Sequence, residues 1–550
     1  GVARYIVYAS AVKLRGSKVA VREFFVTLQN NVFPSVDPPT RSAHNRRCDT
    51  GDREEVGDAI ARREIKNMAQ PTLKEKTARG LLWGTLSNGA QQVLTLVFGI
   101  WLARMLTPDD YGMVGQLAIF SLIAATIQES GFTAALTNRP MVEHRDYNAV
   151  FWFCLPLSVT LYALLFAAAP LIAAFFKNEE ITALARYLFL SFIISGLGIV
   201  PSARLFKSMR VRERTLSNLT ALVVSGVAGI VLAYRGFAYW GLATQTLVYV
   251  TVNTAMYWLF AGWHPTLEWD FKPVREMVGF SSWLLLTNLL NHVNNNFFSL
   301  ILGRFFDARM VGNYTQANKW NFMGHSVVTG LVNGVVQPLF VATADDVERQ
   351  ARVFRKMLRF TCFVAFPVMF GISIVGRELI VIALGRKWLE SADMLMMLCV
   401  SGAFLPVVSL YTQYLLSRGR SVVYLLGLAA MVAVQLAVAL VMYPYGVTAM
   451  LVPYVGINVL WVAVWHVLVQ RLLPVKALEA AADVLPYLAT AVGVMGFTYW
   501  SVEQWQLLPV WALAAKVAMG AALYPAVLWC CGSEMLRESA AYLFKKKKRP

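Results

Sequence analysis

From Leu81 onward the chain runs in uninterrupted apolar stretches of about 18–27 residues, separated by short polar turns. Fourteen such stretches can be drawn, from 81–103 and 112–137 through 279–302 and 310–338 to 484–500 and 508–531. Each suffices to cross roughly 30 Å of hydrocarbon as a helix. The stretches are continuous rather than alternating. That favours helices over barrel strands, because a helix satisfies its own backbone hydrogen bonds in lipid. Pro156, Pro170, Pro338, Pro367, Pro406 and Pro453 fall inside or at the edges of these stretches and predict kinks. The pattern predicts an all-α integral membrane protein with about 14 transmembrane helices.

Composition points the same way. Hydrophobic residues make up 57% and charged residues 15% of the 550, and the mean hydropathy is +0.52. A soluble chain carries about 25% charged residues, so a soluble enzyme is excluded. The formal charge of +18, from 50 Lys+Arg against 32 Asp+Glu, would suggest nucleic acid in a soluble protein. Position decides otherwise. With the N-terminus taken as cytoplasmic, 27 cations fall in inside segments and eight in outside segments. This positive-inside bias sets both termini in the cytoplasm of a cell inner membrane and removes nucleic acid as a partner. The tail Lys545–Lys548 with Arg549 is expected to meet anionic headgroups of the bilayer. Cys48, Cys154, Cys362, Cys399, Cys530 and Cys531 show no metal-ligand spacing, so no metal is expected.

Residues 1–67 differ from the rest, with 12 Lys+Arg, 8 Asp+Glu and no stretch long enough to span. Met68 opens a short basic leader into the first apolar helix. It reads as the natural start, with 1–67 an upstream translation artefact. A disordered cytoplasmic tail is the alternative.

Placing 80–116 over 280–316 without a gap exposes an internal repeat. Trp83 pairs with Trp283, Leu86 with Leu286, Asn88 with Asn288, Phe98 with Phe298, Leu102 with Leu302, Arg104 with Arg304, Gly112 with Gly312 and Gln116 with Gln316. Six spans separate the copies, so both have the same orientation in the membrane. The expected plan is two parallel six-helix repeats plus two C-terminal helices: a bundle over 68–262, a second over 263–472, and two extra helices with a basic tail over 473–550. Parallel repeats of this kind are a transporter architecture, with the pathway at the repeat interface.

This plan and a set of residues resemble the polysaccharide branch of the multidrug/oligosaccharidyl-lipid/polysaccharide exporter superfamily, and within it the Wzx-type flippases. The residues are Glu75-Lys76-Thr77, Gly80 and Trp83; Leu102-Ala103-Arg104 through Tyr111-Gly112; and Gly131-Phe132. The densest likeness is Phe280–Asp346, with Trp283, Asn291, Asn294, Asn296, Leu302, Arg304, Gly312, Tyr314, Ala317, Pro338 and Phe340, followed by Leu384-Gly385-Arg386-Lys387-Trp388. The likeness covers about residues 72–540; its order and spacing carry it, not any single motif. It implies transport of an undecaprenyl-pyrophosphate-linked oligosaccharide from the cytoplasmic to the periplasmic leaflet by alternating access, for surface polysaccharide biosynthesis. It also implies a lipid-linked oligosaccharide as partner, leaves room for other polysaccharide-assembly proteins, and points to no cofactor beyond proton or sodium coupling.

Polar residues within the spans are the candidate site. Lys319 lies near mid-membrane, where insertion costs roughly 2.5–3.5 kcal/mol, so it must face a cavity or a partner. Two readings stay open: a ligand for phosphate, which the resemblance supports, or a structural pair with Glu129. Glu129 itself is a candidate coupling carboxylate or a salt-bridging residue near the interface. Asn288, Asn291 and Asn295 share one helix face, and with Asn296 they form an amide stripe for sugar hydroxyls or for neighbouring helices. Arg104 and Arg304 end their helices at the outer face; snorkelling is the simplest account, with substrate headgroup contact or gating as the functional ones. Phe298 stands where the resemblance expects an acid. His292, His325 and His466 read as packed histidines. Lys516 reads as snorkelling, or as lining a prenyl groove between the last two helices.

No Walker loop, HExxH, GxSxG or paired CxxC occurs, so ATP-driven transport and hydrolysis lack residues. The rivals are a multidrug exporter of the same superfamily and a membrane glycosyltransferase or polysaccharide polymerase. The longest inter-span stretches, 262–278 and 339–359, read as cytoplasmic linkers without a catalytic domain.

Overall fold

Long helices follow one another with turns of a few residues. In this computed structural model, residues 73–129, 131–139, 141–343 and 346–538 are described; the expectations for 1–67, Met68 and Lys545–Lys548 lie outside them. The helices are α1 (Leu73–Met105), α2 (Pro108–Glu129), α3 (Phe132–Asn138), α4 (His144–Phe176), α5 (Glu180–Lys207), α6 (Val211–Tyr234), α7 (Ala238–Ala261), α8 (Lys272–Phe305), α9 (Ala308–Ala342), α10 (Val347–Ala383), α11 (Leu389–Ser417), α12 (Ser421–Met442), α13 (Val447–Gln470), α14 (Ala477–Glu503) and α15 (Pro509–Cys530). No strand occurs among the described residues. Among the described residues ten segments are long and apolar enough to cross a membrane, which makes the chain an all-α, multi-pass membrane protein.

Two expectations are corrected. The stretch 112–137 is broken between α2 and α3, where Gly131 takes φ 69°; glycine enters this left-handed region without steric cost. Residues 262–278 and 339–359 are not all linker, since α8 begins at Lys272 and α10 at Val347. Asp346 starts α10 by accepting from the Arg349 amide at 2.9 Å. Gln350, Phe354, Met357 and Leu358 then bury one face, while Glu348 and Arg352 stay exposed on the other. An amphipathic start of this kind carries no continuous apolar run. Pro156, Pro170, Pro367, Pro406 and Pro453 all lie inside helices, as their place in the apolar stretches implied.

In the first half α1 packs on α6, α6 on α7, α7 on α5 and α5 on α4; in the second, α9 and α10 pack on α11, and α11 on α13. Helix α2 is different, lying chiefly against α9 of the other half. We call the end bearing the α1–α2 and α8–α9 turns distal and the opposite end proximal. At the distal end α2 and α9 meet backbone to backbone. A Cβ on Gly112 would stand 1.7 Å from the Ala308 oxygen, and one on Gly312 would stand 1.8 Å from the Pro108 oxygen. Both pairs are related by the 200-residue offset, so the sequence repeat becomes a reciprocal contact in space.

Helices α14 and α15 are clamped to α10 at both ends. Proximally, Asp483 of α14 is 2.6 Å from Arg355 and 3.1 Å from Arg359; Arg359 also reaches Glu534 at 3.0 Å, and Lys356 reaches Glu538 at 2.7 Å. Toward the distal end Lys516, only 1% exposed, pairs with Glu378 at 2.6 Å, donates to the Ile374 oxygen at 3.2 Å and lies 4.6 Å over the Tyr499 ring. Lys516 therefore turns inward and does not snorkel. Its charge is buried because it is paired.

Removing one member of such a pair strands the other. Lys516→Ala is expected to destabilise the protein by about 3 kcal/mol, and adding Glu378→Gln should restore most of that. Thermal unfolding of the purified protein in detergent measures both. An unchanged melting temperature in Lys516→Ala would show that α15 is not held by this pair.

Candidate functional site

A lysine inside a membrane span needs somewhere to put its charge. Lys319 lies on α9 roughly 16 Å below the distal end, at 1.5 Å of rise per residue. It is half-buried, and its ammonium rests on α1 of the other half. A Cβ on Gly99 would stand 2.7 Å from Lys319 Nζ, so a glycine at that position makes the room. Among the described residues no ion pair includes Lys319. The alternative of a structural pair with Glu129 is therefore not realised. Helices α2 and α9 start side by side at the distal end, and Glu129 sits about 15 Å further along.

Glu129 instead lines a cavity of about 280 Å³ between the halves. Leu122, Ala125, Thr126, Gly131 and Ala134 complete the wall on the α2–α3 side, and Asn288 and His292 face them from α8. The break at Gly131 shapes this wall, since it interrupts the helix next to Glu129. Thr126 is committed to its own helix, donating to the Leu122 oxygen at 2.7 Å. Glu129, Asn288 and His292 are thus the polar side chains presented to the space. His292 had read as a packed histidine. It lies one turn after Asn288 on the same face, and that spacing was the available signal.

The amide stripe divides. Asn288 and Asn295 are exposed. Asn291 donates to the Thr287 oxygen at 2.9 Å and accepts from the Tyr424 hydroxyl of α12 at 2.9 Å, a helix–helix bond within the second half. Asn296 donates back to the His292 oxygen at 3.0 Å. Phe298 is buried between Tyr314 and Tyr454, with ring centroids 4.9 Å away on each side. His466 is buried against the Tyr411 hydroxyl at 3.1 Å, and His325 packs against Phe322.

Arg104 and Arg304 lie at the distal seams between the halves. Arg104 donates to the Ala383 and Ile382 oxygens at the end of α10, both at 2.7 Å, and Arg304 donates to the Phe175 oxygen at the end of α4 at 2.8 Å. Snorkelling does not describe them, because both guanidiniums are bonded across the seam. Lys387 and Trp388 join the first seam, a role that their sequence position did not signal. Lys387 donates to the Arg104 and Leu106 oxygens and Trp388 to the Ala103 oxygen.

With this geometry in place, similarity to known proteins can be stated. Residues 101–393 match the family described as polysaccharide biosynthesis protein. The chain is similar to the lipopolysaccharide biosynthesis protein WzxC of Escherichia coli, 23% identical over 356 residues, which is 64% of this chain and 71% of that one. It is also similar to the teichuronic acid biosynthesis protein TuaB of Bacillus subtilis, 23% identical over 468 residues, 82% of this chain and 95% of that one. Among solved structures it resembles the lipid II flippase MurJ in an inward closed conformation, with a TM-score of 0.67 and 12% identity, covering 84% of this chain and 99% of that chain. At this identity the likeness is one of fold.

The glycines of the site predict separable effects. Gly112→Ala drives a methyl into a backbone oxygen and is expected to cost about 3 kcal/mol or more. Gly99→Ala meets only the tip of a flexible lysine and should leave the melting temperature nearly unchanged. Thermal unfolding of the two variants side by side decides it; equal losses would mean that Gly99 is also a backbone-packing position.

Proposed function

The chain belongs to the polysaccharide biosynthesis protein family, and from that premise we propose that it flips undecaprenyl-pyrophosphate-linked oligosaccharide repeat units from the cytoplasmic to the periplasmic leaflet by alternating access. The observation that carries this reading is the ammonium of Lys319, held between the halves with no ion-pair partner among the described residues. A pyrophosphate with several sugars cannot enter hydrocarbon unaided, because its charges and hydroxyls would lose their solvation. A cavity between two helix bundles, open to one side at a time, supplies replacement partners. Lys319 offers the charge for the pyrophosphate. Asn288, Asn295 and His292 offer hydrogen bonds for sugar hydroxyls, and Glu129 is the candidate carboxylate for proton or sodium coupling.

In this reading α1, α7, α8 and α9 join the ten apolar segments to make fourteen spans, divided into bundles over 68–262 and 263–472 and two further helices from 473. The protein sits in the inner membrane with both termini cytoplasmic, which makes the distal end periplasmic. The names of WzxC and TuaB tie similar proteins to surface-polymer biosynthesis, and the fold of MurJ is that of a protein titled a lipid II flippase. A cation without a carboxylate partner among the described residues favours an anionic substrate over the cationic drugs of a multidrug exporter. Polymerisation finds no support in the arrangement.

Disrupting the gene in its native host is expected to abolish surface polysaccharide and to leave lipid-linked repeat units on the cytoplasmic side. Repeat units that reached the periplasm and stayed unpolymerised would assign the protein to polymerisation. In complementation, Lys319→Ala should lower transport about tenfold or more, the scale of a lost charged hydrogen bond, while Lys319→Arg retains part of it. Full activity of Lys319→Ala would remove Lys319 from the site.

A further inference from the structure

A helix leaves its last four carbonyls without intrahelical donors, and they carry the negative end of its dipole. At the distal end of this protein the missing donors come from the opposite half. Helix α10 ends at Ala383, and Arg104 from the last turn of α1 caps it with two bonds of 2.7 Å. Helix α1 ends at Met105, and the turn after α10 caps it in return. Lys387 Nζ donates to the Arg104 oxygen at 2.8 Å and the Leu106 oxygen at 2.5 Å, and Trp388 Nε1 donates to the Ala103 oxygen at 2.9 Å. The Trp388 ring also meets Tyr111 of α2 edge-on at 5.4 Å.

The second seam is the repeat counterpart of the first; Phe176 packs closely on Gly303 of α8 there, but it has fewer side-chain hydrogen bonds. Arg304 makes one bond of 2.8 Å to the Phe175 oxygen of α4 and lies 5.3 Å over the Phe175 ring. Among the described residues, no side chain of the α4–α5 turn donates to the end of α8 in return. Between the seams, the Gly112–Ala308 and Gly312–Pro108 contacts bring the two halves together with no side chain between them.

We propose that these seams are the latch of the distal gate, that both part when the halves separate, and that the α1–α10 clasp formed by Arg104, Lys387 and Trp388 holds most of the closed state. Alternating access requires distal contacts that form in one state and break in the other. Bonds to backbone carbonyls suit that role, because a parted guanidinium and a parted carbonyl at the membrane boundary can both be rehydrated. The inference rests on the alternating-access part of the proposed function, but its test uses no lipid-linked sugar. A failure here is therefore distinguishable from a failure of the flippase reading.

Val311 reports on the gate. It is fully buried on α9 and faces Gly115 of α2. Val311→Cys, close in size, can be probed in membrane vesicles of both orientations with an impermeant maleimide, labelling being quantified on the peptide that contains it. Slow labelling is expected in the parent. Arg104→Gln should raise the rate from the distal side about tenfold, Lys387→Gln by a similar factor and Arg304→Gln only about twofold, in keeping with the number of charge-assisted bonds removed. Arg104→Lys, which keeps the charge and part of the bonding, should fall between parent and Arg104→Gln, and it preserves the comparison should Arg104→Gln fold poorly. Labelling unchanged by both Arg104 variants and by Lys387→Gln, or raised more by Arg304→Gln than by any of them, would overturn the proposal.

Discussion

Every membrane-spanning helix reaches the boundary with carbonyls that its own backbone cannot satisfy, and in this protein cationic side chains of neighbouring helices take up that role. At the proximal end Lys207 donates to the Thr137 oxygen at 2.7 Å and to the Arg139 oxygen after α3, Arg204 to the Gly262 oxygen at 3.0 Å, and Arg210 to the Phe260 oxygen at 2.8 Å. Each such cap is worth about 0.3–1 kcal/mol at an exposed helix end. The proximal caps bind helices of one half to one another and stiffen it. The distal caps of Arg104, Arg304 and Lys387 run between halves. The same chemistry thus gives a rigid bundle at one end and a seam at the other. Part of the +18 charge thus closes helix ends.

Two lysines within the spans show what separates a structural charge from an available one. Lys516 is enclosed by Glu378, the Ile374 oxygen and the Tyr499 ring. Breaking such a pair is costly, and the pair locks α15 onto α10. Lys319 has a glycine opposite its ammonium and no carboxylate partner among the described residues. A charge left in that condition is expensive in a membrane unless a cavity hydrates it or a ligand meets it. Lys319 lies roughly 10 Å below Gly312, two turns along the same helix, so the α2–α9 backbone contact stands between its level and the distal end.

Much of this was legible in the sequence, and what was not has a common cause. The apolar runs foretold the helices, and Gly112 and Gly312, paired by the 200-residue offset, both turn up in the close α2–α9 contact. Lys319 stood out because its cost is local to its own helix. The partner of Lys516 lies 138 residues away, and no periodicity points to it. Asn291 looked like part of a binding stripe, yet Tyr424 on α12 claims it. The roles of Arg104 and Lys387 were hidden more deeply, because their acceptors are backbone carbonyls, which every residue possesses and no sequence pattern marks. The start of α10 escaped for a different reason: its buried face recurs every three to four residues, whereas a search for spans looks for unbroken runs.

The chemistry of the Arg104 and Arg304 caps also bears on where the transport cycle can be driven. A guanidinium stays charged throughout the physiological range, and a backbone carbonyl does not titrate. A seam made of these groups cannot sense pH directly; it can only be outweighed by a change elsewhere that favours separation of the halves. Of the residues that line the cavity, Glu129 and His292 stand opposite each other, on α2 and α8. They lie toward the proximal side, where the Arg104 and Arg304 caps have no hold. The guanidinium–carbonyl bonds lie at the distal end and the facing polar groups of the cavity lie apart from them, so a change at the cavity reaches the Arg104 and Arg304 caps only through movement of the helices that carry them.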